Sequence, residues 1–237
     1  MNSGKIRSYQ VSVISFLSPK GGCGKSTACA LISQEFSRLD LSSVILDTDP
    51  KRWLSSWANL KPLNSNIKVR QVDQEDLTDE VFQAALEASF VLVDVEGSSD
   101  ASLIDAVLVS DFVVVPCRAS RMDALGAVQV LKQVRQKSQV LRRSIPASIL
   151  LNQTEPGAVE FRITGAIKTI LEEAGAPIMR TQLAARPIFQ AMMSLGGDYL
   201  DLPREFQGSS PKTAQANASA LANELLLTAF TNNHEAA

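Results

Sequence analysis

The chain has 237 residues, 45% hydrophobic and 20% charged, with 23 Lys and Arg against 25 Asp and Glu for a net charge of −2. That length supports one large domain with a true core, the composition excludes wholesale disorder, and the near-neutral balance excludes a basic coat while leaving room for a local basic patch. A single histidine, His234, and three cysteines without a CxxC pair (Cys23, Cys29, Cys117) set aside a Ser-His-Asp triad and a zinc site.

The odd cysteine count fits a reducing compartment. No apolar run approaches the ~18 residues of a membrane span, and residues 1–10 lack the apolar stretch of a signal peptide. A cytoplasmic protein with no membrane association is expected. Residues 1–10 read as a flexible tail, residues 11–230 as one domain and residues 231–237 as a disordered tail.

Short β-branched runs alternate with helical patterns along the domain. The strand candidates are residues 11–17, 44–46, 67–69, 90–95, 112–115 and 149–151, with a weaker one at 178–179. The helical patterns fall at residues 27–39, 54–60, 77–88, 101–109, 123–141, 158–173 and 187–195. Strand and helix in turn predict an α/β fold, a doubly wound, mostly parallel sheet with helices on both faces. Residues 202–217 are rich in Pro, Gly and Ser and read as a surface connection, followed by a terminal helix over 218–230 that docks onto the domain. That helix carries no Lys or Arg, unlike a helix that lies on a membrane. In such a sheet ligands sit at the carboxyl ends of the strands, which directs attention to the residues after each run.

After the first strand comes Pro19-Lys20-Gly21-Gly22-Cys23-Gly24-Lys25-Ser26-Thr27, opening a helix. Glycines let the backbone curl until successive N–H groups face a phosphate, and the new helix adds its positive end. Lys25 then reaches the β- and γ-phosphates and Ser26 ligates Mg²⁺. A chance match to this pattern in one chain has odds of roughly one in ten thousand. The second run ends in Asp47-Thr48-Asp49-Pro50, placing two carboxylates where they can hold waters on Mg²⁺ and orient an attacking water. The run at 90–94 ends in Asp94.

The paired lysines carry a resemblance. This loop resembles the deviant Walker A motif of the ParA/MinD family of dimerising ATPases. The resemblance implies that Lys20 crosses to the partner's ATP, that residues Lys20 to Thr27 cradle ATP, that Lys20, Lys25 and Asp49 are catalytic, with Asp49 positioning water, and that Ser26, Asp47 and Asp94 serve Mg²⁺, the carboxylates through water. It further implies a switch role for Gly97, a place for Asp123 near Lys20, and contact of Asn152 with the adenine base. Pro19 stands where the standard motif has glycine, and Val95-Glu96-Gly97 replaces the family's two prolines after Walker B.

With about ten residues before the first strand, the chain resembles the small ParA type, and Gly97-Ser98-Ser99 and Trp53/Trp57 are similar to the ATPase of conjugative T-strand transfer. The expected function is an ATP-dependent switch for plasmid or chromosome partition or conjugation. It would form a homodimer on ATP binding, associate with the nucleoid through non-specific DNA contacts, and respond to a stimulating partition or relaxosome protein. Arg162, Lys168, Arg180, Arg186 and Arg204 are the DNA candidates. A positioning ATPase for non-DNA cargo and a P-loop metabolic ligase are the alternatives. Trp53 and Trp57, four apart, read as a helix anchored into the core, and Cys23 as a small filler.

Overall fold

A computed structural model describes residues 12–95, 100–155, 162–207 and 210–235. Seven strands, β1 (Ser12–Phe16), β2 (Ser43–Asp47), β3 (Ile67–Gln71), β4 (Phe90–Asp94), β5 (Phe112–Cys117), β6 (Ala147–Thr154) and β7 (Leu183–Ala184), form one sheet in the order β3-β2-β4-β1-β5-β6-β7. Each neighbouring pair is parallel. The chain leaves β1 for β2 on one side and reaches β5 on the other, so the order reverses beside β1 and opens a crevice at its carboxyl end.

The strands' period-two pattern divides the core. Ile14, Phe16, Ile45, Leu92, Val114 and Leu150 face one layer, built from α1 (Lys25–Arg38), α2 (Trp53–Leu60), α7 (Pro187–Leu195) and α9 (Pro211–Glu235). Val13, Val44, Leu46, Val91, Val93, Val113 and Val115 face the other, built from α3 (Leu77–Ala85), α4 (Asp100–Val109), α5 (Arg121–Leu141) and α6 (Arg162–Glu173). Apolar side chains on both faces explain why these strands read as continuous apolar runs. Trp57 is fully buried and donates its indole N–H to the Gly197 carbonyl, whereas Trp53 is exposed.

Two expectations are corrected. The run at 178–179 forms only an isolated bridge between Ile178 and Ile149, and β7 lies further on. The next backbone N–H groups, of Arg180 and Thr181, are both taken at 2.7 Å by the Glu224 carboxylate of α9 instead of a strand. The terminal helix begins at Pro211, not 218, and continues to Glu235 through most of the expected tail; a four-residue helix, α8 (Arg204–Gln207), interrupts the expected connection. Proline fits the first helical position, where no N–H is needed. The longer helix includes Lys212, and its stripe of Ala214, Ala218, Leu221, Ala222 and Leu225 is buried in the core layer that includes α1. Gly97 and the expected start of α6 at residue 158 lie outside the described residues. No helix among the described residues is long and apolar enough to cross a membrane.

Candidate active site

The loop between β1 and α1 occupies the crevice. Gly24 caps α1 with a left-handed φ of 85°, and a Cβ there would lie 2.5 Å from the Asn152 amide nitrogen. Only glycine meets both demands. No side chain among the described residues caps α1, so its first N–H groups remain available to an anion.

The loop is braced from beneath. At the carboxyl end of β6, Asn152 Nδ2 donates to the carbonyls of Cys23 (2.7 Å) and Gly24 (3.3 Å), and Gln153 Nε2 donates to that of Gly22 (3.1 Å). Ser18 Oγ donates to the Lys20 carbonyl at 2.6 Å and accepts from the Cys23 thiol (2.9 Å) and the Lys25 ammonium (3.2 Å). Lys25 is 6% exposed, while Lys20 in the same loop is exposed to solvent. Cys23 is buried, as a small filler should be.

Register places the carboxylates. Asp47 of β2 pairs with Asp94 of β4, and Asp94 with Phe16 of β1, so all three strand ends stand level beside the loop. Asp94 Oδ2 accepts from the Ser26 hydroxyl at 2.5 Å, and Asp47 Oδ2 accepts from Ser55 N and Oγ, each at 2.8 Å. The second oxygen of each carboxylate is buried without a hydrogen-bond partner among the described residues. Burial pushes the Asp94 carboxyl up to about 7, against the hydrogen bond from Ser26 and the charge of Lys25, and burial likewise raises Asp47. Two orphaned carboxylate oxygens beside a hydroxyl form an all-oxygen donor set that fits Mg²⁺, a cation that keeps several waters and needs few protein ligands. The described residues contain no group of three or more His, Cys, Asp or Glu able to hold a metal ion.

Asp49 is half-buried at the rim, where its Oδ1 accepts from Lys51 N at 2.9 Å. Asp123 is paired with Arg118 at 2.6 Å, which holds its carboxyl below the ordinary range, with a smaller contribution from the charge of Lys20. Ser120 caps α5, its hydroxyl oxygen accepting from Asp123 N.

Of the DNA candidates, Arg162 and Lys168 lie on α6, Arg180 and Arg186 flank β7, and Arg204 begins α8, which packs against α7. Arg186 has a buried Nε without a partner among the described residues. Sequence reasoning missed Ser18, Gln153 and Ser55; adjacency to the loop, to Asn152 and to the acidic pair was the available signal.

A loop braced in this way, opening a helix and flanked by two buried strand-end carboxylates, defines a P-loop nucleotide-binding protein with a second lysine in the loop. The VirC1 protein family matches residues 11–234, and the chain belongs to that family of ParA/MinD-type ATPases. It is 27% identical over 211 residues to Protein ParA of Rhizobium radiobacter, covering 89% of this chain and 95% of that protein. It is 25% identical over 210 residues to the Maintenance of carboxysome distribution protein A of Halothiobacillus neapolitanus, covering 87% and 93%. A Cyanothece McdA variant in complex with ATP shares the fold, with a TM-score of 0.71 at 13% identity, covering 91% of this chain and 96% of that one.

Proposed function

We propose that the chain is a dimerising switch that hydrolyses ATP weakly to ADP and phosphate, binds DNA non-specifically as a dimer, and acts in DNA partition or conjugative transfer. The observation behind this reading is the opposite placement of two lysines in one loop. Lys25 is drawn down onto Ser18, in position to serve its own subunit's phosphates, while Lys20 stands in solvent, free to serve a neighbour's. Loop N–H groups and the α1 terminus would hold the phosphates. Ser26, with Asp94 and Asp47 through water, would hold Mg²⁺, which neutralises charge on the β- and γ-phosphate oxygens. Asp49, at the rim of the site, orients the attacking water. Asn152 contributes by fixing the loop.

The family and the relative named ParA support partition or transfer of DNA, with a partition or relaxosome protein as the stimulating partner, in the cytoplasm and at the nucleoid when ATP is bound. The similarity to a carboxysome distribution protein favours a second reading, the positioning of non-DNA cargo.

Sedimentation velocity with ATP and Mg²⁺ tests the switch. Wild type should pass from monomer to dimer, Lys25→Ala should lose nucleotide binding, and Lys20→Ala should bind nucleotide yet remain monomeric. Dimerisation of Lys20→Ala like wild type would overturn the assigned role. DNA binding that does not depend on ATP, or does not weaken with salt, would favour the second reading.

A further inference from the structure

Charge is unevenly distributed along the chain. Residues 71–117 hold eleven of the 25 acidic residues and none of the 23 basic ones. Within this stretch α3 crosses from β3 to β4, at the opposite end of the sheet from β6 and β7, where Arg162, Arg180 and Arg186 stand.

Helix α3 turns Leu77, Val81 and Ala84 into the core. Its outer stripe carries Asp79, Phe82 and Leu86, with Glu75 and Asp76 on the turn that precedes it. Phe82 is 67% exposed and Leu86 82% exposed. Four residues apart on a helix, they lie side by side. The acids near the start of α3 have an ordinary reason to be there, since they suit the helix dipole; the exposed apolar pair has no such reason. On the flank toward β3, Glu80 and Glu87 are neutralised by Arg70 and Lys68. Glu75, Asp76 and Asp79 have no cationic partner among the described residues.

We propose that the outer stripe of α3 is a docking surface for a basic amphipathic segment of a partner protein. Apolar side chains of the segment cover Phe82 and Leu86, and its Lys and Arg meet Glu75, Asp76 and Asp79. The charge decides the occupant. A phosphate backbone or an anionic lipid surface is repelled by this stripe. A second copy docking by a two-fold axis brings the same acids face to face. A basic segment gains on both counts.

The test uses the full chain without nucleotide or DNA, so its failure leaves the switch reading untouched. The probe is a labelled 18-residue helix-forming peptide with Leu along one face and Lys and Arg on the other; the control is the same composition scrambled to destroy the apolar face. Anisotropy titration should show the amphipathic peptide binding about tenfold more tightly than the control. The double variant Phe82→Asp/Leu86→Asp should weaken it by a similar factor, although two added negative charges would strengthen plain charge attraction. Glu75→Gln/Asp76→Asn/Asp79→Asn should also weaken binding and flatten its salt dependence. Both double and triple variants should keep wild-type basal ATPase, since none of these residues touches the loop. Equal binding of the two peptides, or undiminished binding by the double variant, overturns the proposal. Self-association that the double variant abolishes overturns it in favour of a second copy.

Discussion

Asn152→Ala separates two roles for one side chain. The family resemblance implies contact of Asn152 with the base, and in the structure the residue is 3% exposed and its amide nitrogen donates to the Cys23 and Gly24 carbonyls. Removing the donor leaves buried acceptors short of a partner, at a cost of about 1–3 kcal/mol. Expressed wholly as loss of loop order, that is about a 5- to 150-fold rise in the nucleotide Kd. Titration with a fluorescent ATP analogue reads it, and GTP competition reads base selectivity. Asn152→Asp adds a sign. A carboxyl buried against two carbonyl oxygens is raised above its ordinary range; below that value it is neutral and its O–H restores the donor, above it the charge repels both carbonyls. Nucleotide affinity of the Asp variant should therefore recover as pH falls toward 5, while the Ala variant should show no such recovery. Wild-type affinity in Asn152→Ala, combined with lost preference for ATP over GTP, would refute the bracing role and restore the base contact.

Gly24→Ala should bind nucleotide poorly, because its Cβ meets Asn152 at 2.5 Å in a left-handed backbone; isothermal titration checks this. Asp94→Asn should abolish Mg²⁺-dependent nucleotide binding yet raise the Tm of the nucleotide-free protein above pH 7. The Asp94 carboxyl, pushed up to about 7, binds its proton more tightly folded than unfolded, so its contribution to stability falls as pH rises from the ordinary carboxylate value through 7; a Tm against pH series shows whether the fall disappears in the variant. Trp57→Ala should cost about 3–5 kcal/mol in urea unfolding, since a fully buried indole leaves a cavity. Arg162→Ala and Arg180→Ala should each lower the slope of log K for DNA against log salt by about one if each meets a phosphate, uniformly across DNA sequences.

What the sequence disclosed depended on how far apart the partners lie. The loop from Pro19 to Thr27 is contiguous and framed by a strand and a helix, so its place followed from local pattern. Asp47 and Asp94 were legible as strand ends because buried parallel strands are apolar until they reach the crevice. The bracing by Asn152 spans 129 residues, and a residue at a strand end can face either a ligand or the underside of a loop. Only the fold shows this side chain reaching the loop carbonyls. The weaker strand expected at 178–179 stops at a single bridge for a similar reason: the Glu224 carboxylate, 44 residues beyond Arg180, takes the next backbone N–H. The start of α9 was hidden by composition, since Ser210 and Pro211 read equally as a loop and as a helix start. The charge segregation of residues 71–117 is visible in the sequence, but its placement opposite β6 and β7 depends on strand order.

Mixing two inactive variants tests most directly whether Lys20 acts across a dimer. Lys20→Ala lacks the ammonium proposed to cross the dimer, and Asp49→Ala keeps that lysine but lacks the carboxylate proposed to orient water. In a mixed dimer, the site on the Lys20→Ala subunit has its own Asp49 and receives Lys20 from its neighbour, so phosphate release should reappear on mixing although neither variant turns over alone. Mixed dimers that form and remain inactive would contradict the account and place Lys20 in its own subunit's site.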